Sequence, residues 1–242
     1  MSTDFWDRLR STTPARIGIA RYGAGVATGS VLDAQALHAR ARDAVHRPLD
    51  VPALVEDLRA LDLGIPRVLA SAAADRREYL GRPDLGRRPA GPLDRSTSPV
   101  DLAIVVADGL SAGAAQEHAP ALLGALLPLL DGGTTIAPPV VATLGRVALG
   151  DHLGEALGAR LVLMLLGERP GLSSTDSLGA YLTWAPRPGL PDARRNCVSN
   201  IRPPAGLSYE SAARTLAALM VGARRLGGTG VHLKDRGDEL LA

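Results

Sequence analysis

The chain has 242 residues, a formal net charge of +2, 46% hydrophobic but only 3% aromatic residues, and a single cysteine. That length can bury a large core in one domain or two, packed mostly with Ala, Leu and Val. Interspersed charge leaves no nucleic-acid-binding stripe, one Cys excludes an internal disulfide and suits a reducing cytoplasm, and no apolar run reaches the length of a membrane span.

Residues 1–10 lack signal-peptide character. Next, residues 16–20 and Gly23, Gly25 and Gly29 mimic a dinucleotide-binding turn, in which glycines let the backbone approach a pyrophosphate. The third glycine is one place late, however, and the acidic strand end such a fold needs is replaced by His46, Arg47 and Pro48. An arm or loop that packs on a partner is the better account. Residues 34–46 and 51–61 have helical patterns, with Pro48 and Pro52 as breakers.

An Arg/Pro/Gly-rich stretch, 81–99, then divides the chain into an N-terminal arm with a mainly helical region, 1–95, and a second region, 96–242. In the second, strand patterns at 102–107, 135–142 and 160–166 alternate with helical patterns at 110–130 and 147–157. Extended runs follow at 180–184 and 197–201, and a last helix over 208–226 ends at Gly227 and Gly228. This alternation predicts an α/β, Rossmann-like fold with a mainly parallel sheet flanked by helices.

Chemistry concentrates after the 160–166 strand. The loop 167–179, GERPGLSSTDSLG, places a charged pair and a hydroxyl cluster where open α/β sheets bind ligands, beyond the carboxyl end of a strand. Asp108 and Ser111 flank a strand-to-helix junction, where capping is the economical role. His38, His46, His118, His152 and His232 form no spaced metal-ligand pair with one another or with Cys197, so no metal site is expected. Ser173 and Ser174 have no readable base and there is no Gly-x-Ser-x-Gly elbow, which leaves hydrolase chemistry unsupported.

Eight collinear pieces carry a family resemblance: TTPARIGIARYG, HARARDAVH, YLGRPDLGRRP, ADGLSAGA, GRVALGDHLGEALGA, GERPGLSSTDSLG, RNCVSNIRPPAGLSYESAA and GVHLKD. Together they resemble the small subunit of ethanolamine ammonia-lyase over nearly the whole chain. The resemblance implies an adenosylcobalamin-dependent lyase that converts ethanolamine to acetaldehyde and ammonia in a hetero-oligomer with a TIM-barrel large subunit. Catalytic residues are then expected on the large subunit, and none on this chain. By motif, the cobalamin contacts fall on Val147, Glu168 and Cys197. A carboxylate such as Glu168 can accept the N–H groups of the corrin's peripheral amides. Core packing is the rival role for Val147 and Cys197, and an ion pair with Arg169 or another arginine for Glu168. Arg169, Ser173, Asp176, Arg195, Asn196 and Asn200 are left as a supporting shell or a subunit seam. No histidine stands in an Asp-x-His-x-x-Gly context, which implies a cofactor that keeps its own dimethylbenzimidazole ligand on cobalt. The expected location is the cytoplasm, with a bacterial microcompartment as the alternative, and neither nucleic acid nor membrane as partner. A scaffold protein that keeps the fold without cobalamin is the competing functional class.

Overall fold

The computed structural model describes residues 3–13, 15–19 and 21–234. Its elements run α1 (Thr3–Arg10), β1 (Arg21–Tyr22), β2 (Gly25–Val26), α2 (Thr28–His46), α3 (Val51–Arg59), β3 (Arg67–Ala70), α4 (Arg76–Gly81), β4 (Val100–Ala107), α5 (Ala112–Leu126), β5 (Val140–Thr143), α6 (Leu149–Ala156), β6 (Ala159–Gly167), β7 (Leu178–Trp184), β8 (Arg195–Ile201) and α7 (Tyr209–Leu226). Ala20, in the dinucleotide-like segment, and residues 235–242, the end of the second region, lie outside the described residues.

Six strands form one sheet in the order β3-β5-β4-β6-β7-β8. The pairings β3–β5, β5–β4 and β4–β6 are parallel, whereas β6–β7 and β7–β8 are antiparallel. The sheet is therefore mixed but mainly parallel, as the pattern of alternating elements predicts. Its antiparallel half follows from the connections. The chain passes from β6 to β7 and from β7 to β8 without a crossover helix, and parallel neighbours need one.

Side chains alternate across the sheet and fill two cores. Leu102, Ile104 and Val106 of β4 and Leu161, Leu163 and Leu165 of β6 face α3, α5 and α7, where Leu54, Leu122 and Leu216 are fully buried. Ala103, Val105, Val162 and Met164 point to the other face, under Leu149 and Leu153 of α6. β4 and β6 are covered on both sides, which explains their unbroken apolar runs.

Several boundaries depart from the expected ones for local reasons. α2 begins at Thr28, six positions before 34. The 135–142 pattern yields a strand only at Val140–Thr143, since Pro138 and Pro139 bring no N–H to a ladder. α5 starts at Ala112 because the Ser111 side chain caps it, accepting from the Ala114 N–H at 3.4 Å. Ser208 caps α7 in the same way, and Gly227 ends that helix in the left-handed conformation at φ 65°. Gly23 and Gly25 belong to the β1–β2 hairpin, which is separate from the six-stranded sheet, so no dinucleotide turn forms there. β3 and α4 are unanticipated in the sequence pattern, and β3 brings the first region into the sheet. Among the described residues no helix is long and apolar enough to cross a membrane.

Candidate functional site

The chain leaves β4 through α5 on one face and reaches β5, then leaves β5 through α6 on the opposite face and reaches β6 on the far side of β4. Connections that part in this way open a crevice at the carboxyl ends of the strands. The loops that follow the three strands meet there. Gly109 adopts φ +53°, and an added Cβ would stand 2.3 Å from the Gly167 carbonyl. Gly167 packs still closer, since a Cβ there would meet the Ser111 carbonyl at 1.9 Å. Neither position has room for a side chain.

Asp108 ties this junction together. It does not cap α5; its Oδ1 accepts from the Gly145 N–H at 3.1 Å and its Oδ2 receives the Arg76 guanidinium at 3.4 Å. Burial raises the Asp108 carboxyl above its ordinary value, opposed by Arg76 and by backbone N–H groups. Arg76 also donates to the Gly109 carbonyl at 2.7 Å and to the Val45 carbonyl at 2.6 Å, so it clamps the end of α2 onto the strand-end loops.

The crevice is a cleft of about 640 Å³. Val147 and Glu168 line it together with Leu110, Leu166, Tyr79 and Tyr181. Arg87, Arg146, Arg169 and Asp192 add charge. No histidine is among its lining residues. Tyr79 is buried between two guanidinium groups, with Arg76 4.8 Å and Arg146 4.5 Å from the ring centre. Its hydroxyl donates to the Gly145 carbonyl at 3.1 Å, and burial pushes that hydroxyl up to about 12. Arg146 donates through Nη2 to the Tyr79 carbonyl at 3.0 Å, while its buried Nε finds no acceptor among the described residues. A larger hollow, about 1050 Å³, is framed by α2 and the N-terminal arm rather than by strand ends. Position at the switch point and convergent polar groups favour the smaller cleft.

Val147 is half-buried, outside the core, between β5 and α6. Glu168 is also half-buried and forms no ion pair with Arg169; its Oε2 accepts the Asn200 N–H at 3.1 Å. Asn200 holds φ +57°, which Asn tolerates better than most residues. The structure thus brings Val147 and Glu168 into one cleft. Cys197 does not line it. This residue lies on β8 opposite Tyr181 and is exposed, so it is not core filling. Its sulfur nevertheless sits in crowded surroundings. Desolvation pushes the thiol up to about 11, with a Tyr181 hydrogen bond opposing and the Glu168 charge adding to the rise.

Arg195, Asn196 and Asp176 make contacts that hold the fold together. Arg195 makes a buried fork with Asp151, Nη1 to Oδ1 at 2.5 Å and Nη2 to Oδ2 at 2.7 Å, and also donates to Thr183 and the Leu190 carbonyl. Asn196 donates to the Leu233 carbonyl at 3.0 Å and accepts the Gly230 N–H at 2.7 Å, which holds the C-terminal segment on β8. Asp176 faces Arg202 at 3.5 Å, and its carbonyl meets the buried His118. Ser173 and Arg169 are exposed. Tyr79, Arg87, Arg146 and Tyr181 are cleft residues that sequence reasoning passed over, although the first three fall inside quoted family pieces.

A three-layer α/β subunit with a mixed sheet and a ligand cleft at the switch point is the class this fold and site define. The comparisons give the family. The family model described as "Ethanolamine ammonia-lyase light chain (EutC)" matches residues 3–234. An ethanolamine ammonia-lyase small subunit from Rhodococcus erythropolis is 51% identical over 232 residues, covering 96% of this chain and 90% of that protein. One from Bradyrhizobium diazoefficiens is 54% identical over 234 residues, covering 94% and 89%. The chain belongs to the ethanolamine ammonia-lyase light-chain family.

Proposed function

We propose that this chain is the small subunit of an adenosylcobalamin-dependent ethanolamine ammonia-lyase, which works with a large subunit to convert ethanolamine to acetaldehyde and ammonia. The observation that carries the reading is the meeting of Val147 and Glu168, from different loops, in one cleft at the switch point of the sheet. When bound, adenosylcobalamin supplies the radical that starts the reaction, and a TIM-barrel large subunit supplies the substrate pocket.

The residues present fit such a cofactor. Leu110, Val147 and Leu166 give apolar surface for a macrocycle, while the Glu168 carboxylate offers an acceptor to amide N–H groups on its rim. A lining without histidine fits a cofactor that carries its own axial base. In this role Glu168 orients the macrocycle edge, and the Asn200 N–H fixes the carboxylate so that little freedom is lost on binding. Val147 and its neighbours exclude water from one side only. An open cleft leaves the opposite side to the large subunit.

The test is reconstitution. The full chain mixed with its large subunit and adenosylcobalamin should show bound corrin absorbance and release acetaldehyde from ethanolamine, whereas the chain alone should do neither well. Turnover by the isolated chain, or a two-subunit complex that never retains corrin, would refute the proposal.

A further inference from the structure

We infer that Arg87, Arg146 and Arg169 form an anion subsite within the cleft, and that it takes the phosphodiester of cobalamin's nucleotide tail. This inference rests on the cofactor reading above. The three guanidinium groups come from three separate segments, the turn after α4, the loop after β5 and the loop after β6, and all line the same cleft. None has a carboxylate partner among the described residues. Their neighbours differ: Arg82 and Arg88 both pair with Asp84, at 2.9 and 3.5 Å. The two carboxylates of the cleft are engaged elsewhere, Glu168 with the Asn200 N–H and Asp192 with Arg195 at 3.2 Å.

Arg146 is the anchor of the three. Its backbone N–H donates to the Gly86 carbonyl at 2.8 Å, its Nη2 to the Tyr79 carbonyl at 3.0 Å, and its guanidinium stacks on the Tyr79 ring. A cation held this firmly, with its buried Nε unanswered among the described residues, is preorganised for an acceptor that those residues do not supply. Guanidinium forks match phosphate oxygens better than neutral amide oxygens. The peripheral amides of a corrin are neutral, and the tail phosphodiester is its ionised peripheral group, so charge selects the tail.

The experiment titrates the reconstituted two-subunit complex, followed by corrin absorbance, with cobinamide, cobinamide phosphate and cobalamin. Cobinamide lacks both phosphate and base; cobinamide phosphate restores only the phosphate. Arg146→Met and Arg169→Met should each weaken cobinamide phosphate and cobalamin by about tenfold to a hundredfold and leave cobinamide binding unchanged. Arg169 is exposed, with no side-chain partner among the described residues to lose, so its variant tests the idea even if the Arg146 variant folds poorly. Equal loss on all three ligands, or no loss on any, overturns the subsite while the cofactor reading stands. Variants that no longer assemble with the large subunit would place these cations against partner carboxylates and overturn it too. A wild-type complex that binds none of the corrinoids refutes the cofactor reading and the subsite with it.

Discussion

Asp151→Ala should be among the most damaging single changes outside the apolar core. The side chains of Arg195 and Asp151 are 3% and 1% exposed, and their two short contacts join α6, just beyond Val147, to β8, which carries Cys197. Inside the fold, desolvation works against the Arg195 charge, but the hydrogen bonds and charges of Asp151 and then Asp192 together outweigh it and raise the pKa. Removing Asp151 leaves a buried guanidinium with Thr183, the Leu190 carbonyl and Asp192. The Asp192 side chain is largely in solvent, so its compensation is small, about 0–1 kcal/mol. Breaking a buried pair from one side costs about 3–5 kcal/mol, which leaves a net loss of about 2–5 kcal/mol. For a chain of this size that lowers Tm by about 4–20 °C. Chemical denaturation and thermal melting of the full chain read both numbers. The double variant Asp151→Leu with Arg195→Met should lose less than Asp151→Ala alone, because no charge stays behind. A single variant that costs under about 1 kcal/mol, or a double variant as damaging as the single changes added together, would refute the argument.

Three further outcomes follow from the cleft and its supports. Glu168→Ala should raise the Kd of the complex for adenosylcobalamin by about tenfold to a hundredfold with a smaller effect on Tm; Glu168→Gln, which can still accept the Asn200 N–H, should fold like wild type, and a large Tm loss with unchanged affinity would make Glu168 purely structural. With its thiol pushed up to about 11, Cys197 is protonated at neutral pH, so its alkylation rate should rise about tenfold per pH unit from 7 to 10. A plateau near pH 8.5 would contradict that environment, and labelling of the apo complex unaffected by added cobalamin would separate Cys197 from the cofactor. Gly167→Ala should prevent the loops after β4 and β6 from docking and sharply reduce soluble, folded protein, since the added methyl falls on the Ser111 carbonyl; a variant with wild-type Tm would show that the loops can part freely.

The legible part of this fold is the part with regular burial. β4 and β6 announce themselves because both of their faces are covered, and α7 because Ser208 and Gly227 mark its ends. β3 is hidden because it is four residues long at a sheet edge, with Arg67 and Val68 facing solvent, and so carries neither an apolar run nor alternation. The direction of β7 and β8 is not written in their composition, since an apolar strand reads alike in either orientation. In the site, Glu168 is conspicuous as a charge after a buried strand. Arg146, Tyr79 and Arg87 are not, because their meeting depends on contacts between α4, the turn after it and the loop after β5, far apart in the chain.

The place of β3 in the sheet bears on how this chain can be cut. Arg67 to Ala70 run alongside Val140 to Thr143 in parallel register, with the Arg67 N–H bonded to the Pro139 carbonyl and the Ser71 N–H to the Thr143 carbonyl. A fragment that begins near residue 96 would leave one flank of β5 bare. That flank is a row of unpaired amides on the strand Val140-Val141-Ala142, whose side chains are buried in the intact fold, and such an edge invites pairing with another copy. Expression of the second region alone should therefore favour strand-to-strand aggregates over a soluble monomer, and a fragment starting before Arg67 should avoid this.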